Sequence, residues 1–104
     1  MTKYLFVYHG GGAPEGKAEQ AKVMDAWGQW MGSMGSALVD GGNPVGQSST
    51  VNSDGSVSDH GGANPASGYS LVEATSLEAA LAHAKGCPIL AAGGSIEVAA
   101  TIDM

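Results

Sequence analysis

Arginine is absent from this chain. Four lysines face ten carboxylates, and the formal net charge is −6. Phosphates and base edges are gripped by clusters of Lys and Arg, with arginine the favoured base reader. Their scarcity argues against a nucleic-acid partner, and against an anionic membrane surface for the same reason. Cysteine is scarce too. Cys87 stands alone, so no internal disulfide can form, which suits a reducing compartment. No apolar run approaches the roughly 18 residues of a membrane span. No basic segment followed by an apolar stretch and a small-residue cleavage site opens the sequence, and a cytoplasmic location is expected. Three scattered histidines and one cysteine lack metal-ligand spacing, so neither a metal nor a cofactor is expected. The 104 residues suffice for one domain, spanning 1–104, with a modest core.

What the chain does contain is punctuated apolar sequence, with 17 glycines. Lys3 to His9 reads Lys-Tyr-Leu-Phe-Val-Tyr-His and runs into Gly10-Gly11-Gly12. An apolar, aromatic run stopped by glycines predicts a central strand. Both of its faces are apolar, so the chain's own helices should cover one and a second copy the other. After a loop over Gly10–Pro14, residues 15–34 show helical spacing at Ala21, Met24, Trp27, Met31 and Met34, broadened by Val23 and Trp30. Glu15 and Glu19 suit the positive end of that helix. Gly28 and Gly32 inside it suggest close approach of another backbone. Gly35 suits its C-terminal cap.

Ala37-Leu38-Val39 predicts a short second strand within Ser36–Asp40, stopped by Gly41-Gly42-Asn43-Pro44. Residues 48–51 and 56–58 flank Asn52-Ser53-Asp54-Gly55, a hairpin signal in polar, peripheral sequence. A loop over 59–68 leads to a strand over 69–74. Thr75 or Ser76 then caps a helix with apolar positions Leu77, Ala80, Leu81 and Ala84, ended by Gly86-Cys87-Pro88. Gly93-Gly94 turns the chain into a last strand over 95–99. The order β-α-β, hairpin, β-α-β predicts an α+β sandwich: one antiparallel sheet with two helices on one face. This is a ferredoxin-like arrangement carrying an inserted hairpin. Its open sheet face is the natural surface for a homodimer.

This topology sends the ends of strands one and two, and the loop before the strand at Tyr69, to one end of the sheet. His9, Asp40 and His60 are therefore the candidate catalytic residues. His9, with a reference pKa near 6.5, would act as acid or base, and Asp40 or Asp59 would orient it. Each has a plainer alternative. His9 would cap its strand by bonding a loop carbonyl, His60 would be solvated, and Asp40 would serve as a turn residue. His83, near the end of the second helix, fits a structural role. Cys87 reads as a small buried hydrophobe. The glycine triplet lacks the spacing of a phosphate loop. Three readings remain open: acid–base chemistry on a small metabolite in a cleft at the strand ends, a non-catalytic small-molecule-binding or accessory module that holds a metabolite or a partner protein there, or a purely structural dimer.

Gly68-Tyr69-x-Leu71-Val72-Glu73-Ala74, Leu77-Glu78-Ala79-Ala80, Ala84-Lys85-Gly86-Cys87-Pro88 and Gly93-Gly94-Ser95-Ile96-Glu97-Val98 together resemble the YCII-related proteins and their DGPF relatives. The opening strand and Ala37-Leu38-Val39-Asp40 fit the same pattern. The resemblance implies a ferredoxin-like fold and a homodimer whose sheets pack into an α+β barrel. It also implies, for some members, a His-Asp pair in a cleft, and for a few relatives dehalogenation-like or lactone chemistry. This chain departs from the pattern at two places. Asp59-His60-Gly61-Gly62 stands near the place of the Asp-Gly-Pro-Phe signature, and Asp25 and Trp27 lie where the family carries a first-helix histidine.

Overall fold

The computed structural model describes residues 1–12 and 16–104. Pro14 and Glu15, given above to the first loop and to the start of the first helix, lie outside the described residues. The elements are β1 (Thr2–His9), α1 (Lys17–Met34), β2 (Leu38–Asp40), β3 (Thr50–Val51), β4 (Val57–Ser58), β5 (Ala66–Ala74), α2 (Leu77–Lys85) and β6 (Ser95–Ala100). Short 3-10 turns occupy Gly35–Ala37 and Pro88–Leu90. The main sheet has the order β2-β5-β1-β6 with every pairing antiparallel, while β3 and β4 form a separate small hairpin sheet. The chain is thus a small α+β fold with one four-stranded antiparallel sheet and two helices.

Side-chain alternation decides what β1 does. Tyr4, Phe6 and Tyr8 point to the helix side and are at most 5% exposed. Lys3, Leu5, Val7 and His9 point to the other face. On β5 the inward set is Gly68, Ser70, Val72 and Ala74, and the outward set includes Tyr69, Leu71 and Glu73. Phe6 stacks on Trp30 at 6.5 Å, and Tyr8 meets Trp27 edge-on at 5.1 Å. Such ring pairs add about 0.5–1.5 kcal/mol each beyond their buried area. Trp30 Nε1 also donates to the His83 carbonyl at 2.8 Å, tying α1 to α2. Helices cover only one face of the sheet, so the Cα atoms span 43 × 42 × 18 Å, a thin plate.

Several expectations need correction. The apolar stripe of α1 is buried only in its second half. Trp30 and Met34 are buried and Trp27 and Met31 half-buried, while Ala21, Val23 and Met24 are exposed, Met24 at 75%. The first half of α1 overhangs a hollow rather than the sheet. Strand β5 begins at Ala66, inside the stretch expected to be loop, because Tyr8 pairs with Gly68 and His9 with Ala66. Ala37 lies in the 3-10 turn, and β2 runs from Leu38 to Asp40. Ser76 is the cap of α2, accepting from Ala79 N at 3.1 Å. Its stripe is buried only at Ala80 and Ala84, since Leu77 and Leu81 are 50% and 38% exposed.

Gly28 and Gly32 do not mark a close backbone approach: a Cβ at either would meet nothing within 4 Å. Gly32→Ala should therefore raise stability by about 0.5–1 kcal/mol, the usual helix-interior difference. A urea midpoint for Gly32→Ala at or below that of the wild type would contradict this placement.

Candidate functional site

A hollow of about 970 Å³ opens on the helix side at the His9 end of β1. Tyr8, Trp27, Met31 and Ile89 supply apolar walls, and the glycine segments at 10–12 and 41–42 supply backbone walls. Met24 and Lys22 lie on the overhanging half of α1. The volume is at the upper end of the range for small-molecule sites, and mostly apolar walls with a few polar groups are typical of them. Three segments that end strands or open a helix build it, as strand-end geometry suggests. The residues that line it are not the ones expected.

His9 lies one residue beyond Tyr8, and strand alternation places it on the opposite face. Its Nδ1 donates to the carbonyls of Asn64 at 2.9 Å and Pro65 at 3.2 Å. Its Nε2 lies 3.2 Å from Glu97 Oε1 on the neighbouring strand. The His9 side chain is 11% exposed and that of Glu97 69%. Both ring nitrogens are engaged, and the imidazole ties β1 and β6 to the segment that precedes β5. Asp40 Oδ1 accepts from Gly42 N at 2.8 Å, closing a turn on its own backbone. His60 Nδ1 accepts from Gly62 N at 3.0 Å, and its carbonyl accepts from Thr50 Oγ1 at 2.6 Å. Among the described residues no hydrogen bond or ion pair joins His9 to Asp40, Asp59 or His60. None of the four lines the hollow.

Glu97 is the carboxylate that sequence reasoning missed as the partner of His9. It comes from β6, and only the β1–β6 register, with Val7 opposite Glu97 and His9 opposite Ser95, brings it there. A second missed feature is a buried polar chain beneath the hollow. Tyr8 OH donates to Ser70 Oγ at 2.7 Å, and Ser70 Oγ donates to the Gly41 carbonyl at 2.7 Å. Ser70 is fully buried. The chain fixes the Gly41–Gly42 wall to the sheet and satisfies each group in it.

Burial pushes the Tyr8 phenol up to about 12, an effect that its hydrogen bond with Ser70 only partly opposes. Burial likewise pushes the Cys87 thiol up to about 11. Both groups hold their protons more tightly folded than unfolded, where ordinary values are 10.0 and 9.0. Their contribution to stability is complete below about pH 9 and is lost as pH rises through 11 to 12. Urea midpoints should therefore fall between pH 8 and pH 11, and less steeply in Tyr8→Phe. A midpoint constant over that interval would refute the burial of these groups. The raised thiol also leaves Cys87, at 3% exposure, a packing residue.

No helix is long and apolar enough to cross a membrane, among the described residues. The described residues also contain no cluster of three His, Cys, Asp or Glu side chains that could hold a metal ion. Comparison with known proteins gives no matching family model and no matching curated protein.

Proposed function

We propose that this chain is a non-catalytic small-molecule-binding domain that takes an apolar ligand into the hollow beneath the first half of α1. One observation carries the reading. The hollow is lined by Trp27, Tyr8, two methionines and glycine backbone, and among the described residues no imidazole or carboxylate lines it. Tyr8 stays a protonated phenol at neutral pH, so it supplies no base there. Acid–base chemistry centred on His9 is less well supported, because its two nitrogens are occupied and it faces away from the hollow.

The resemblance to YCII-related proteins and the ferredoxin-like arrangement belong to the same proposal. The strand order, with β1 and β2 parallel to each other on either side of β5, supports both. So does the apolar open face of the sheet, where Leu5, Val39 and Tyr69 are 38%, 42% and 38% exposed. Two copies stacked through that face would form the dimeric α+β barrel. Leu71→Glu, which puts a charge in the middle of it, would then abolish stacking through this face, read by sedimentation as a fall in assembly mass. The single thiol suits a cytoplasmic setting, and the acidic balance suits a neutral metabolite better than a nucleic acid.

Titration of a neutral naphthylamine dye, followed by tryptophan quenching, tests the binding reading. Binding should weaken about tenfold or more in Trp27→Ala, the loss expected of a central aromatic contact. His9→Gln should bind as the wild type does. Equal loss in both variants, or saturable binding indifferent to Trp27, would overturn the assignment.

A further inference from the structure

The two edges of the main sheet are built differently. The β2 edge is three residues long, carries a bulge between Leu38 and Asp40, and runs into Gly41-Gly42-Asn43-Pro44. Short length, bulges and proline are the usual means of keeping an edge from pairing. The β6 edge has none of them. It is six residues long without a register shift against β1, and Thr101 N still donates to the Lys3 carbonyl at 2.9 Å, extending the ladder. No proline or lysine occurs from Ser95 to Met104.

The Thr101 bond also fixes which groups are free. Thr101, Ala99, Glu97 and Ser95 turn their N–H and C=O groups toward β1, because antiparallel hydrogen-bonded pairs recur every second residue. Ile96, Val98, Ala100 and Ile102 therefore turn theirs toward the open edge. The same four residues form one apolar face of the strand. That face continues into a groove of about 190 Å³ lined by Leu81, Ala84, Lys85, Leu90, Ile96 and Val98. Leu90 is 43% and Ile102 85% exposed.

We propose that this edge pairs with the same edge of a second copy, antiparallel about Ala99. In that register Val98 lies opposite Ala100, and Ile96 opposite Ile102, of the second copy. These are hydrogen-bonded pairs, so the free backbone groups of both edges are satisfied. Ile102 of the second copy enters the groove beside Leu81 and Leu90. On the other face Glu97 meets Thr101, so no two carboxylates are opposed. A register shifted by one residue would set inward apolar side chains against outward polar ones and leave the free amides unmatched. The occupant is a second copy because the sequence of this edge is complementary to itself. The resulting contact joins two sheets edge to edge and is separate from stacking through the open face.

Sedimentation of the wild type, Ile102→Lys, Ala100→Pro and Leu71→Glu tests this. Ile102 lies outside the core, so its replacement leaves folding intact. Ala100→Pro removes an edge donor without touching a bond to β1. Each should weaken association about tenfold or more, as expected for a desolvated charge or a lost ladder bond at an interface. Leu71→Glu should leave the edge contact in place. In the Leu71→Glu background, Ala99→Cys should form an intermolecular disulfide under mild oxidation. Non-hydrogen-bonded partners sit about 4.5 Å apart at Cα, within disulfide reach. Ala100→Cys, facing Val98, should cross-link far less. Association unaffected by Ile102→Lys and Ala100→Pro, or absence of the Ala99→Cys cross-link, would overturn the edge contact. If Leu71→Glu alone abolished all association, face stacking would stand and the edge contact would fail; the reverse result would leave only the edge contact.

Discussion

Phe6→Ala is expected to lower the stability of the domain by about 3–5 kcal/mol, the range for truncating a buried aromatic ring. Phe6 is the largest of the fully buried side chains among the described residues and lies on the central strand, between β5 and β6. Its ring stacks on Trp30, which in turn meets Trp27 and bonds the α2 carbonyl of His83. Removing the ring opens a void that the flanking strands cannot close, since both neighbours are held by the ladder. Domains of this size are stable by about 0.05–0.15 kcal/mol per residue, so the loss is a large fraction of the total. Urea denaturation followed by tryptophan fluorescence measures it. A loss below about 1 kcal/mol, less than deleting two buried methylenes, would show that Phe6 is not at the centre of the core.

Gly42→Ala should be comparably damaging, for a backbone reason. Gly42 has φ +68°, a conformation costing roughly 1–2 kcal/mol for residues with a Cβ. A Cβ at this position would also fall 1.8 Å from the Tyr69 carbonyl oxygen and 2.7 Å from its carbon. The obstacle is strand backbone, so relief requires the 41–43 segment to move away from β5. That movement would stretch the bond from Ser70 Oγ to the Gly41 carbonyl and the bond from Tyr69 N to the Asn43 carbonyl. It would also displace one wall of the hollow. The expected result is a loss of about 3 kcal/mol or more, with strain and broken buried hydrogen bonds adding, and weakened dye binding in whatever folded protein remains. Wild-type stability with wild-type dye affinity would show that this turn is free to rearrange.

Much of the architecture was legible in the residues, and the reasons are local. The apolar run from Tyr4 to Tyr8, followed by His9 and three glycines, has few options besides a strand and its turn. Asn52-Ser53-Asp54-Gly55 closes a hairpin because Gly55 reaches φ +90° while its N–H donates to the Asn52 carbonyl. Ser76 caps α2 with its own hydroxyl. The extent of β5 was not legible. Ala66, Ser67 and Gly68 have no strand propensity of their own and are drawn into the sheet by pairing with the end of β1. Nor was the partial burial of α1, since a helical stripe says which side is apolar, not how much of it meets a sheet.

The candidate site shows the division most clearly. Sequence alone determined that His9, Asp40 and the segment ahead of β5 belong to one end of one sheet, because strand direction and connection order follow from short-range signals. Tertiary structure decided which face each side chain serves. Alternation along β1 sends Tyr8 into the hollow and His9 to the other side. The register with β6 gives that histidine Glu97, a carboxylate 88 residues away in the chain, in place of the nearer aspartates. Such pairings depend on a one-residue offset between distant strands, and no local propensity carries that information.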